Sequence, residues 1–187
     1  MPVHPRPLRA DAQRNRDAIV AAAREVMGRR GLDAPLDEIA QAAGVGNATL
    51  YRRFPSRREL VQAVFADGMS RYASAGERAL QVDDPWAAVC GYLTDICALQ
   101  AEHRALADLV TSTEYVDDNR ALAVASLQRL LDRARAAGVL RRDLTLEDVA
   151  LMLTANAGVV RQAGDRAVEA SRRFVALLLD GLHAAPH

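Results

Sequence analysis

Apolar positions recur every three or four residues through most of the chain, the spacing of one face of an α-helix. Ile19, Ala23, Val26 and Met27 share a face, and Gly31 offers a stop, which predicts a helix over about 12–30. Leu36, Ile39, Ala40 and Ala43 form a second stripe ended by Gly44, a helix over about 36–43. Leu50 and Phe54 stand four apart and predict a short helix over about 47–53, which Pro55 cannot extend. Ser56-Arg-Arg-Glu59 has the form of a capping box, and Leu60, Val64, Met69 and Tyr72 continue the buried side of the helix that it opens.

The second half follows the same rule. Asp84-Pro85 reads as an N-cap with proline in the first helical turn, ahead of Trp86, Val89, Leu93, Ile96 and Gln100. A shorter segment near 104–112 holds Leu106, Leu109 and Val110. A long helix is expected over about 118–137, with Gly138 as its end, and another from Thr145-Leu-Glu-Asp148 to about 163. Gly164-Asp165 breaks that one, and a last helix carries Phe174, Leu177, Leu178 and Leu182. No segment alternates as a strand would, and no repeat is visible. The expected fold is all-α.

Composition agrees. Of 187 residues 50% are apolar and 4% aromatic, so the core is built from Leu, Val, Ile and Ala. That length suits one large or two small domains. Net charge is zero, yet unevenly spread. Every basic residue is arginine, and Met1–Phe65 holds 11 of them against 7 acidic residues, which makes this end the candidate anion-binding end. The start, MPVHPRPLRADAQRNRD, lacks the apolar stretch of a signal peptide, and no apolar run approaches a bilayer span. The expectation is a cytoplasmic protein with no membrane partner.

Little points to catalysis or metal. Cys90 and Cys97 are seven apart on one helix, too far to bond to each other, and read as buried small apolar residues. His4, His103, His183 and His187 have no metal-ligand spacing. The pairs Asp83-Asp84 and Asp117-Asp118 fall at expected helix starts, where aspartate caps. No nucleophile elbow or phosphate loop is present. Neither a cofactor nor an enzymatic activity is expected.

The informative stretch is AGVGNATLYRRFPSRREL, Ala43 to Leu60. Two helices joined at Gly44-Val45-Gly46 form a helix-turn-helix, in which glycine supplies a left-handed residue and Val45 an apolar plug. With Leu50 and Phe54 turned to the core, the other side of the short helix shows Asn47, Thr49, Arg52 and Arg53, with Tyr51 at its edge. Such side chains donate to phosphates and base edges in a major groove. Arg57 and Arg58 open the next helix, a second place for phosphate.

At LDEIAQAAGVGNATLYRRFPSRRELVQAVF, Leu36 to Phe65, the sequence resembles the tetracycline-repressor (TetR) family of bacterial regulators. The resemblance covers about a quarter of the chain when the first helix is included. It implies a homodimer that binds a palindromic double-stranded DNA operator and releases it when a small molecule enters the C-terminal domain. It also implies that Thr49, Tyr51 and Arg52 contact DNA, Tyr51 on a phosphate. Arg57 stands where many members carry lysine at the start of helix four. Gly46 stands where serine or threonine usually caps the recognition helix, and Asn47 could supply part of the missing contact.

The organisation expected is a disordered basic arm over 1–10, a three-helix DNA-binding domain over 11–58, and a helical ligand-binding and dimerisation domain over 59–187. Candidate ligand-contacting residues are Trp86, Tyr92, Cys97, Tyr115, Asn119 and Asn156. Asn156 interrupts the otherwise apolar VALMLTANAGVV, and if buried it needs partners: a ligand, a neighbouring helix or its symmetry mate. The last two helices are apolar over more of their girth than one core face requires, Leu177-Leu178-Leu179 above all, and are expected to meet a second copy. A regulator that reads DNA without a small-molecule effector, controlled by a protein partner, is the alternative.

Overall fold

The computed structural model describes residues 6–111 and 118–182. Among them are α1 (Arg6–Arg30), α2 (Leu36–Ala42), α3 (Asn47–Arg53), α4 (Arg57–Leu80), α5 (Pro85–Glu102), α6 (Arg104–Thr111), α7 (Asp118–Ala136), α8 (Leu146–Ala163) and α9 (Ala167–Leu182), with one 3-10 turn at Gly164–Arg166 before α9. No strand occurs among the described residues. The expected irregular arm over 1–10 differs from the structure where the structure describes it: the backbone is already helical from Arg6.

The helix ends follow from local chemistry. Asp84 accepts the Ala87 N–H at 2.8 Å and caps α5, with Pro85 at its first position. Thr145 and Asp148 close a reciprocal capping box on α8. At α4 the Ser56 hydroxyl accepts the Glu59 N–H at 3.2 Å and donates to the Glu59 carboxylate at 3.0 Å. Gly44, at φ 67°, ends α2 in a Schellman turn: its own N–H reaches Gln41 O, and the Val45 N–H reaches Ala40 O. Gly138, at φ 71°, repeats that arrangement after α7.

The chain divides into two compact units, Met1–Ala66 and Asp67–His187. In the first, Ile19, Val26, Met27, Ile39, Leu50 and Leu60 are almost fully buried. In the second, α9 packs on α5 and α8, and α5 also packs on α6 and α7. Arginine does a job here that a lysine's single ammonium would do less well. Its planar fork binds backbone carbonyls, one or two at a time. Arg24 donates to Val64 O, Arg135 to Leu144 O, and Arg133 to both Leu80 O and Val82 O.

Candidate functional site

Helix α3 is seven residues long, and two of its contacts set how it is presented. Leu50 is buried, and so is Phe54 just beyond the helix, whose ring lies 5.3 Å under the Arg16 guanidinium. Both anchors lie on one side. The opposite side leaves Asn47, Tyr51, Arg52 and Arg53 exposed and Thr49 half-buried. Tyr51 is 52% exposed, far more than a core tyrosine would be. Gly46 is the N-cap residue, in extended backbone, and offers no side-chain cap. On the exposed side Arg52 Nη2 donates to Thr49 Oγ1 at 3.0 Å, so the guanidinium stands over the preceding turn.

Arg57, at the start of α4, is held by its own unit. Its Nη1 donates to Leu32 O and Ala34 O, both at 2.8 Å, so the side chain ties the start of α4 to the loop between α1 and α2. No signal in the sequence marks those carbonyls as its partners.

The second unit brings together only part of the expected ligand-contacting set. Cys97 is buried and lines a groove of about 200 Å³ between α5 and α9, with Thr94, Ser171, Val175 and Leu179. Burial pushes its thiol up to about 12, which keeps it protonated. Cys90 is half-buried, and both cysteines are free thiols. Trp86 and Asn119 are half-buried and do not line this groove or the cavity described next. Tyr115 lies outside the described residues.

Asn156 is fully buried, and its bonds run to neighbouring helices. Nδ2 donates to Gln100 Oε1 at 2.8 Å, and Oδ1 accepts from the Ser171 hydroxyl at 2.9 Å. Gln100 in turn donates to Leu153 O, and Cys97 O, 3.2 Å from the Ser171 hydroxyl, is the alternative acceptor for its one hydrogen. The network joins α5, α8 and α9. Of the three partners the sequence allowed, the neighbouring helix is the one seen.

A cavity of about 270 Å³ opens between α4, α7 and α8. Val124, Leu127, Leu146, Val149 and Leu153 make its apolar wall, and Tyr72, Arg120, Glu147 and Thr154 its polar points. Tyr72 fell on the buried side of α4 in the sequence, so periodicity gave it a core role. Nothing in the sequence set Arg120 apart from the other arginines. Tyr92, from α5, stands next to Tyr72, is 1% exposed, and its hydroxyl has no hydrogen-bond partner. The two phenols are close enough for each to shift the other, Tyr92 lowering Tyr72 and Tyr72 raising Tyr92. Burial raises the Tyr72 phenol above its ordinary value, against the opposing pull of Tyr92 and Arg120. Burial, and then Tyr72, push Tyr92 well above its own. Both therefore stay protonated as donors.

Among the described residues no group of histidine, cysteine or acidic side chains could hold a metal ion, and no helix is long and apolar enough to cross a membrane.

Two family models match this chain. Residues 19–64 match "Bacterial regulatory proteins, tetR family", and residues 84–184 match "Transcriptional regulator SbtR-like, C-terminal domain". The HTH-type transcriptional regulator SrpR of Pseudomonas putida is 34% identical over 87 residues, 46% of this chain and 41% of that protein, so the chain aligns with less than half of that relative's length. Among solved structures, the TetR transcriptional regulator SCO0520 from Streptomyces coelicolor is 32% identical, with a TM-score of 0.53 over 91% of this chain and 99% of that one. The transcriptional regulator FadR from Bacillus subtilis, in complex with stearoyl-CoA, shares the fold at 17% identity, with a TM-score of 0.63 over 89% and 99% of the two chains. The matched families and relatives are transcriptional regulators, not enzymes.

Proposed function

The chain belongs to the TetR family of bacterial regulatory proteins, and on that premise we propose that it is a homodimeric repressor that releases a palindromic operator when a small molecule enters its second unit. The observation that carries the DNA-binding half is the two-sided character of α3. Leu50 and Phe54 hold one side, while Asn47, Tyr51 and Arg52 stand exposed on the other. Arg52 and Thr49 read base edges, and Tyr51 donates to a backbone phosphate. Asn47, next to the uncapped Gly46, adds a phosphate contact at the start of the helix. Arg57 acts behind this surface, by holding the loop that precedes α2.

The effector half rests on the cavity between α4, α7 and α8, with its mostly apolar wall and few polar points. FadR of Bacillus subtilis, a transcriptional regulator that shares this fold, is solved in complex with stearoyl-CoA, a precedent for a small molecule bound to a regulator of this fold. The dimer rests on Leu151 of α8 and Val168 and Leu177 of α9, which are 68%, 51% and 56% exposed in the single chain. Two copies joined there would meet a palindromic operator with one α3 in each of two successive major grooves, which DNA sets about 34 Å apart.

The test is selection of duplexes from a random pool by the purified protein, followed by sedimentation of the complex. A palindromic consensus bound by two chains supports the reading. A protein that retains no duplex above the background set by a shuffled sequence overturns it. The alternative, a regulator controlled by a protein partner, draws on the closure of the Asn156 network within the chain. It predicts that no small molecule alters operator affinity.

A further inference from the structure

The arginines of α1 with described side chains divide into two kinds. Arg14 pairs with Asp11, Arg29 with Glu25 and Arg30 with Glu38, and Arg24 donates to Val64 O. Arg16 does none of these things. Its guanidinium lies over the Phe54 ring, 5.3 Å from the centroid, and is exposed. Among the described residues no acidic side chain pairs with it, and Asp17, its neighbour in the chain, accepts from Gln13 at 2.7 Å. A carboxylate would neutralise the charge and take up donors. A ring holds the guanidinium and does neither, so five N–H groups stay available. Its place is set by α3: Phe54 is buried, and its N–H closes the last turn of that helix on Leu50 O at 2.8 Å. Arg16 therefore stands at the C-terminal end of α3, the end that also exposes Arg52 and Arg53.

We propose that Arg16 binds a DNA backbone phosphate beside the C-terminal end of α3. The inference rests on the DNA-binding reading above and adds to it a contact from α1. Size supports it. A seven-residue helix is about 10.5 Å long and the major groove about 12 Å wide, so both ends of α3 come close to a phosphate chain when its exposed side enters. Asn47 serves the first end, and Arg16 serves the second. A guanidinium can take two phosphate oxygens at once, and a side chain already held on a ring loses little freedom in doing so. Such a contact reads no base; it fixes how α3 is seated in the groove. Arg16 precedes residues 19–64, the segment that matches the family model, so family membership does not assign the contact.

The experiment uses the full chain and two fluorescein-labelled duplexes, one selected from the random pool and one of shuffled sequence. Anisotropy gives the affinity for each between about 50 and about 200 mM potassium chloride, the range over which phosphate contacts show most clearly. Arg16→Gln should weaken both duplexes about threefold to tenfold and lower the slope of log affinity against log salt by about 0.9 for each bound chain. The melting temperature of the free protein should move by no more than a few degrees. Arg16→Lys keeps the charge and should hold the wild-type slope with a smaller loss of affinity. Should Arg16→Gln not fold by circular dichroism, Arg16→Met, whose chain still covers the ring, takes its place. A wild-type slope in the uncharged variant overturns the proposal, and a fall in melting temperature beside it leaves Arg16 only the shielding of Phe54. An equal fall in slope for Arg16→Lys overturns it too, as does a loss confined to the selected duplex, which would make Arg16 a base reader. Wild-type protein that binds neither duplex sinks the DNA-binding reading itself, whereas wild-type binding with an unchanged slope in the variant sinks the phosphate contact alone.

Discussion

Asn156 Nδ2 donates to Gln100 Oε1 at 2.8 Å in a core where the two side chains are 0% and 1% exposed. The bond joins α8 to α5, and the Ser171 hydroxyl extends it to α9. Removing one member strands the others. Asn156→Leu is expected to lower stability by about 2–4 kcal/mol, from a Gln100 Oε1 left without a donor and a Ser171 hydroxyl left only its longer contact with Cys97 O. For a chain of this size that is a fall of roughly 5–15 °C in melting temperature. Adding Gln100→Leu and Ser171→Ala should recover much of the loss, because an apolar core needs no partners. Thermal and urea unfolding measure both. A triple variant no better than the single one would show that the network matters for packing and not for hydrogen bonding.

Arg57 holds two carbonyls of the loop before α2, so its substitution should be felt first in the fold of Met1–Ala66. Arg57→Ala is expected to cost about 1–3 kcal/mol and to weaken every duplex alike. The slope of log affinity against log salt should stay as in the wild type. A slope lower by about 0.9 would instead mark the loss of one phosphate contact.

Thr49 steadies the Arg52 guanidinium from one turn away. Arg52→Ala is expected to relax preference at one base step by about 1–3 kcal/mol. Thr49→Val, which keeps the shape and removes the hydroxyl, should blur the same step by less. Tyr51→Phe should weaken all sequences and move stability by no more than about 0.5 kcal/mol, since the residue is 52% exposed. Competition binding with single-base operator variants separates the three. Changes at unrelated base steps for Thr49→Val and Arg52→Ala would disconnect the pair.

Leu151 and Leu177 are large, apolar and more than half exposed in the single chain. Glutamate at either position should give a folded monomer that no longer holds a palindromic operator. Sedimentation velocity and circular dichroism read the two properties independently. Dimers of unchanged affinity in both variants would move the interface elsewhere.

Cys97 supplies a pH signature. Its folded thiol lies at about 12, above the ordinary 9.0, so its contribution to stability is complete below pH 9 and is lost as pH rises from there through about 12. Cys97→Ser is expected to flatten that alkaline fall. At pH 8 the native protein should react with a thiol reagent far more slowly at Cys97 than the unfolded chain does.

Much of this molecule is local and therefore readable from its residues in order. The bounds of α3 are those the spacing of Leu50 and Phe54 with Pro55 predicts, because a helix and its stop depend on neighbours a turn away. Asp84, Thr145, Gly44 and Gly138 behave as their types demand for the same reason. The polar face of α3 was legible as well, since two apolar anchors four apart decide which way the rest must point. The tertiary structure alone decided which helix each face would meet. Periodicity marks Tyr72 and Tyr92 as inward-facing, yet it cannot say that α4 and α5 set them side by side, or that α7 brings Arg120 to the same cavity. Nor can charge show that Arg57 turns back onto Leu32 and Ala34. Those pairings come from helix packing between residues far apart in the chain, and packing depends on the shapes of both partners at once, which no single segment carries.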